Sequence, residues 1–149
     1  MTTIFESKNF IVTPHPRPEI DRLDGGHIVI NPKVKLLDRQ ELSKDQAVEL
    51  MRLTILVGEG MKRYYKSLGI ELVRINYQDN GNWRPELHYH LYGRAKNAKY
   101  QKAGDPVSPG HKDEYRILSD DDVMGLQKEI KAIFAESDYS DSTWGFSFN

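Results

Sequence analysis

The sequence predicts an α+β fold: a mostly antiparallel sheet of about five strands, one long central helix and a C-terminal helix. Three features of the chain predict it. Short β-branched and aromatic runs are bounded by glycine and proline, one long segment repeats apolar residues at helical spacing, and a shorter segment near the C-terminus does the same. The chain has 149 residues, of which 38% are hydrophobic, so we expect a single domain over residues 1–149.

Two strands are predicted near the N-terminus. NFIVT, starting at Asn9, is strand-like and is followed by PHPRP, whose alternating prolines remove backbone donors and impose an extended loop. HIVINP, from His27 to Pro32, begins after the glycine pair Gly25-Gly26 and ends at a proline. This pattern is typical of a short buried strand that starts after a tight turn.

The long helix is predicted to run from Lys44 to Ser67. Ser43 and Gln46 form a capping-box pattern before it, and Gly69 follows it as a stop signal. Large or apolar residues recur at helical spacing along this segment: Ala47, Leu50, Met51, Thr54, Val57, Met61, Tyr64 and Leu68.

The second half of the chain begins with a predicted hairpin. ELVRINY and LHYHLY are strand-like, and the Asn80-Gly81 dipeptide between them indicates a turn. A polar loop follows, and Ser119 with Asp122 then opens the C-terminal helix. The aromatic residues of the tail alternate, and we expect them to pack on the sheet or on a partner chain: Trp144, Phe146 and Phe148.

Composition excludes several classes of function. Lys plus Arg number 21 against 22 Asp plus Glu, so no general attraction draws the chain to nucleic acid or to an anionic membrane. The absence of cysteine excludes disulfides, thiolate metal sites and a cysteine nucleophile. The N-terminal segment has no export-signal pattern and no run is apolar enough to span a bilayer, so we expect a soluble cytoplasmic protein.

The segment PELHYHLYGR, residues 85–94, concentrates ionisable side chains on one side of a predicted strand. Because successive strand residues point to opposite faces, Glu86, His88, His90 and Tyr92 are expected to share a face. The residues between them are leucine or tyrosine and can pack into the core. Two histidines and a carboxylate on one face, with Arg94 close by, indicate a functional site.

Three interpretations of this segment follow from its chemistry. The histidines can be structural, either exposed or buried with hydrogen-bond partners. An imidazole can instead attack phosphorus and form a covalent intermediate. As a third possibility, Glu86, His88 and His90 can bind a metal, since ligands at alternate strand positions converge on one ion.

The order of motifs resembles the histidine triad (HIT) superfamily of nucleotidyl hydrolases and transferases: GGHIVINPK, a long helix, INYQDNGNW and then LHYHLYGR. The signature of that family is three histidines that alternate with apolar residues. The resemblance spans Phe10 to Lys99 and leaves residues 101–149, the C-terminal loop, helix and tail, unmatched. One signature position departs from the family, because Glu86 stands in place of the first histidine.

The resemblance assigns roles once the register is chosen. Many members carry an arginine four residues after the last histidine, and Arg94 follows His90 by four, so Glu86, His88 and His90 take the three positions. The central residue His88 is then the nucleophile, and His90 contacts phosphate oxygens. The competing register uses His88, His90 and Tyr92, and makes His90 the nucleophile.

The same resemblance implies further substrate-binding residues. Asn76 and Asn82 match places where relatives hold phosphate with an amide, although asparagine is also a common turn former. Arg94 suits phosphate oxygens, with anchoring of nearby acidic loops as its alternative. His27 begins the strand under the nucleotide, or serves structurally there. The ribose candidates lie in one segment: His15, Glu19 and Asp21.

The implied activity is a nucleotide hydrolase that needs no metal or other cofactor. It cleaves at the α-phosphate of dinucleoside polyphosphates, such as diadenosine tetraphosphate, or of nucleoside phosphoramidates, through a nucleotidyl-histidine intermediate. Relatives are commonly homodimers, and we expect one here. The alternatives are a metal enzyme with the three ligands named above, and a nucleotide-binding protein in which Glu86 has weakened turnover.

Overall fold

The computed structural model describes residues 2–149 and confirms the predicted α+β fold. A five-stranded antiparallel sheet has the order β1-β2-β3-β5-β4. Its strands are β1 (Phe5–Glu6), β2 (Phe10–Pro14), β3 (His27–Pro32), β4 (Leu72–Gln78) and β5 (Tyr89–Ala95). The predicted hairpin is therefore present as β4 and β5, but β5 begins at Tyr89, three residues after Glu86.

The long helix α1 (Lys44–Ser67) has the predicted limits. Its start is fixed by reciprocal bonds between Ser43 and Gln46, which satisfy backbone donors that the first turn leaves free. Leu53, Val57 and Met61 face the sheet and are fully buried, so α1 covers one face of the sheet and leaves the other face to the histidines.

The C-terminal third packs onto the same core. Helix α2 (Asp120–Phe134) lies against α1, and a short helix α3 (Asp141–Trp144) follows it. In the tail, Phe148 is buried with its ring 5.6 Å from Phe134 and 4.0 Å from the Arg52 guanidinium carbon, and it completes the core. Phe148 of the tail therefore packs on its own chain.

A loop over residues 96–118 covers one end of the open sheet face. The Asp24 carboxylate accepts hydrogen bonds from the backbone N–H groups of Lys99 and Tyr100, both at 2.8 Å. Gln101 donates to the carbonyl oxygen of Glu19 and accepts from the backbone of Ser108 at 2.8 Å. These bonds tie the loop to the turn that precedes β3.

Two glycines allow this turn to approach β5. A Cβ atom at Gly93 would overlap the backbone of Gly25, and a Cβ atom at Gly25 would overlap the backbone of Gly93. Gly25 and Gly26 also have positive φ angles, which other residues rarely adopt. The Gly93 N–H donates to the Gly26 carbonyl at 3.0 Å and fixes the start of β3 beside β5.

None of the helices within residues 2–149 combines the length and apolar character that crossing a lipid bilayer requires.

We expect Gly93→Ala to lower the free energy of unfolding by about 3 kcal/mol, because the new methyl group displaces backbone rather than a flexible side chain. Chemical denaturation followed by circular dichroism measures the change. Gly104→Ala is the matched control, since the added Cβ meets no atom within 4 Å there. Equal stability of the two variants would show that the close backbone approach is absent.

Candidate active site

Four of the five histidines meet on the open face of the sheet. His15 follows β2, His27 begins β3, and His88 and His90 lie just before and within β5. The rings of His15 and His27 stack with centroids 4.2 Å apart, and those of His88 and His90 meet edge-on at 4.6 Å. The antiparallel pairing of Val29 with His90 brings the two strands of the site into register.

The side chain of His88 is held in one orientation and one tautomer. Its Nδ1 lies 2.6 Å from the carbonyl oxygen of Glu86, and the residue is only 8% exposed. A carbonyl oxygen can only accept, so Nδ1 of the neutral ring carries the proton. Nε2 of His88 therefore keeps an unshared electron pair, which is what a nucleophile needs.

His90 is held in the opposite tautomer by a chain of two hydrogen bonds. The backbone N–H of Glu19 donates to Nδ1 of His27 at 3.1 Å, so the proton of the neutral His27 ring is on Nε2. That nitrogen lies 2.8 Å from Nδ1 of His90 and donates to it. His90 then carries its proton on Nε2, where it is a hydrogen-bond donor and not a nucleophile.

Burial keeps these rings neutral. It lowers the pKa of His90 to about 3, with a further contribution from the neighbouring rings of His88 and His15. Burial also lowers the pKa of His27 well below its usual value. Both residues therefore act at neutral pH as uncharged donors and acceptors.

Tyr92 closes the site at the end that is covered by the loop over residues 96–118. Its ring stacks on His90 at 5.5 Å and lies 4.3 Å from that of His27. Its hydroxyl donates to the Glu19 carboxylate at 3.4 Å, and burial raises the pKa of Tyr92. In the competing register Tyr92 would take the third triad position with His90 as nucleophile, but the tautomer of His90 favours His88.

Glu86 does not share the histidine face. Glu86 lies three residues before β5, where the backbone is irregular and the predicted alternation of side chains no longer fixes the direction of its side chain. Its carboxylate instead lies 3.6 Å from the Lys35 ammonium. A bond from its own backbone N–H, and then Lys35, lower the pKa of this exposed carboxyl, so it is ionised at neutral pH.

The metal set proposed from the sequence is not assembled. Within residues 2–149, three possible ligand atoms come within 4.8 Å of one another in a different group, that of His15, His27 and His90. In this group Nε2 of His27 carries a proton and donates to His90, while its Nδ1 accepts from Glu19. A metal ion could bind His27 only if one of these two hydrogen bonds were broken. The arrangement therefore favours a hydrogen-bonded chain of histidines over metal ligation.

Arg94 and Asn76 serve the loop. Arg94 is 2% exposed, and its guanidinium donates to Asn76 at 2.6 Å and to the carbonyl oxygens of Lys102 and Asp105 at 2.6 and 2.7 Å. The structure thus gives Arg94 the alternative role named above, the anchoring of a loop. The side-chain carbonyl oxygen of Asn76 accepts the hydrogen bond from Arg94.

Arg84 takes the place near the histidines that the sequence suggested for Arg94. Its guanidinium donates at 2.6 Å to Asn31, and its charge helps to lower the pKa of His15 and His90. Asn82, two residues earlier in the same loop, is exposed to solvent. No pattern in the sequence marked Arg84, because it is a single arginine in an irregular loop four residues before His88.

Of the ribose candidates, Asp21 is committed elsewhere. It is buried and binds the Arg116 guanidinium at 2.9 Å and the Leu23 backbone N–H at 3.0 Å. Glu19 faces Tyr92, whereas His15 stacks on His27 and stays partly exposed.

Residues 3–97 match the family model of the HIT domain. The chain belongs to the HIT family. The match covers the sheet, α1 and the histidine cluster, and it ends before α2. Among curated proteins, none is detectably similar in sequence.

Solved structures of HIT proteins share the fold. A histidine triad protein from Bradyrhizobium japonicum has a TM-score of 0.62 at 16% identity, with 88% of each chain covered. A hypothetical histidine triad nucleotide-binding protein from Sulfolobus tokodaii has a TM-score of 0.57 at 19% identity, covering 87% of this chain and 80% of that one. A zinc-bound histidine triad family protein from Mycobacterium smegmatis has a TM-score of 0.60 at 14% identity, covering 88% and 84%.

We expect the ring signals of His90 in this HIT protein to stay unchanged between about pH 7.5 and 5 in an NMR titration. The unfolded chain takes up this proton near pH 6.5 and the folded chain only near 3, so the unfolded state binds more protons between these values. Unfolding free energy should therefore fall as the pH drops through that window. Titration of His90 near 6.5 would contradict its burial beside His27.

Proposed function

We propose that this HIT protein is a nucleotide hydrolase that acts at the α-phosphate of dinucleoside polyphosphates, such as diadenosine tetraphosphate, or of nucleoside phosphoramidates. The reaction passes through a nucleotidyl-histidine on His88. The observation that carries the proposal is the 2.6 Å hydrogen bond from His88 Nδ1 to the Glu86 carbonyl oxygen. This bond fixes the orientation of the ring and leaves the electron pair on Nε2 of the neutral ring free to attack.

The first step forms a bond between His88 Nε2 and the α-phosphorus. The bond from phosphorus to the leaving oxygen or nitrogen breaks, and the leaving group departs with the electron pair. The imidazole becomes cationic while phosphorylated, and its Nδ1–H donates more strongly to the Glu86 carbonyl oxygen. Glu86 thus contributes to catalysis through its backbone.

The second step is hydrolysis. Water attacks the phosphorus, the bond to Nε2 breaks, and the electron pair returns to the imidazole. One water proton passes to solvent, and nucleoside monophosphate leaves. His90, with its proton on Nε2, donates to a non-bridging phosphate oxygen in both steps, and His27 holds it in that tautomer.

The Glu86 carboxylate does not serve as a general acid for the leaving group, because it lies off the histidine face beside Lys35. It has no proton to donate at neutral pH, unlike an acid with a raised pKa. Two kinds of substrate tolerate the lack of this acid. A nucleoside polyphosphate leaves as a stable anion, and a phosphoramidate nitrogen can take a proton from solvent before it leaves. Asn82 lies six residues before His88 on an exposed loop, and we propose that its amide contacts either substrate.

We expect His88→Ala to reduce release of AMP from diadenosine tetraphosphate by at least about 10³-fold, because the covalent route is lost. Mass spectrometry of the acid-quenched wild-type protein should show an adenylyl adduct on the peptide that contains His88. His111→Ala is the matched control, since His111 lies outside the cluster and bonds to the Pro18 carbonyl oxygen.

An adduct on His90 would overturn the assignment of the nucleophile. Tight binding of AMP with neither adduct nor hydrolysis would select the nucleotide-binding alternative and reject the proposed activity.

We also propose that two copies associate through β4. This strand is at the edge of the sheet, where its outward backbone groups are free to pair with a second strand. Exposed apolar side chains on α1 and β4 continue the edge: Met51, Ile55, Val73 and Tyr77, which are 39–61% exposed. Met51, Ile55 and Tyr77 border a cavity of 520 Å³ between α1 and the end of β4, which a second copy would help to fill.

We expect Met51→Lys to weaken self-association by at least about tenfold, because a charge would be buried at the apolar contact. Sedimentation velocity over a concentration series measures the change. Met124→Lys on α2 is the matched control, since Met51 and Met124 are 61% and 60% exposed. A wild-type monomer at all concentrations, or equal weakening by both changes, would contradict the β4 contact.

A further inference from the structure

Arg84 lies at the histidine site without a carboxylate partner. Within residues 2–149, its guanidinium has no acidic oxygen within ion-pair distance, and it is held by the neutral amide of Asn31 at 2.6 Å. Most other arginines are committed to protein groups: Arg22, Arg39, Arg52, Arg63 and Arg116 form ion pairs, and Arg94 binds loop carbonyls. A cation held in place by a neutral group keeps its charge available for an anion.

The position of Arg84 is set by the sheet. On β3, Val29 pairs with His90 of the antiparallel strand β5. Asn31 lies two residues further along β3, so it is level with His88, just before β5 begins. The opposite end is closed by Tyr92, Glu19 and the loop over residues 96–118. Arg84 therefore stands at the open end of the site.

We propose that Arg84 binds the phosphates of the leaving group and selects dinucleoside polyphosphates over phosphoramidates. This inference rests on the proposed function and narrows its substrate class.

The charges of the site support this choice. In the proposed complex the α-phosphate lies beside His88 and His90. Burial keeps His90 neutral, so this residue brings no charge to match a chain of several phosphates. Arg84 adds a fixed positive charge with a planar set of donors, which suits the oxygens of a polyphosphate. The Lys35 ammonium lies 3.6 Å from the Glu86 carboxylate and offsets part of the repulsion between that carboxylate and a polyphosphate. The amine leaving group of a phosphoramidate carries no phosphate for Arg84 to bind.

The test compares kcat/KM for diadenosine tetraphosphate and for adenosine 5′-phosphoramidate in the same preparations. Arg84→Met should lower the value for the tetraphosphate by about 10- to 100-fold, the range for one hydrogen bond to a charged group. The value for the phosphoramidate should stay within about threefold. Arg84→Lys should restore part of the loss, because it returns the charge without the planar donors.

Lys128→Met is the matched control. Lys128 is an exposed cation on α2, away from the histidines, so its removal changes the net charge equally. Equal losses on the two substrates in Arg84→Met, or no loss on the tetraphosphate, would overturn the proposal.

A binding measurement separates this inference from the proposed activity. In calorimetry the wild-type protein should bind ATP more tightly than AMP, and Arg84→Met should remove the difference while AMP binding stays. That result supports the role of Arg84 even if no substrate is hydrolysed. If the wild-type protein binds ATP and AMP equally tightly, the proposed role of Arg84 is wrong, whether or not the protein hydrolyses any substrate.

Discussion

The close backbone contact between the turn at Gly25 and the strand at Gly93 is the constraint on which the site depends. Without side chains at these two positions, the start of β3 can lie directly against β5. His27 then reaches His90, and the N–H of Glu19 reaches the far side of the His27 ring. The packing of two small residues thus determines which nitrogen of the His90 imidazole carries a proton.

The chemistry of the site follows from burial more than from charge. Imidazoles in water are partly protonated near neutral pH, whereas His27 and His90 are kept neutral because their charged forms would lose hydration. His88 keeps a free electron pair because a carbonyl oxygen occupies its other nitrogen. Because His27 and His90 are uncharged, Arg84 supplies positive charge that they lack, and on this contrast we base its proposed influence on substrate choice.

The sequence predicted the parts of this protein that depend on local patterns. The limits of α1 follow from a cap at Ser43 and a repeat of apolar residues, and both operate within a few residues of the chain. The histidine strand was found by its alternation, but alternation could not show that β5 starts at Tyr89 and excludes Glu86. The roles of Arg84 and Arg94 could not be separated either, because the loop carbonyls that bind Arg94 come from a segment with no regular pattern.

The buried carboxylate of Asp122 joins three parts of the chain that are distant in sequence. It caps α2 through Ser119, binds the Arg22 guanidinium at 2.7 and 2.8 Å, and accepts from the Tyr64 hydroxyl at 2.7 Å. Arg22 belongs to the turn that leads into Gly25. The C-terminal helix, which lies outside the residues matched by the family model, therefore supports the turn that positions His27, and a proteolytic cut that released it would loosen the histidine cluster.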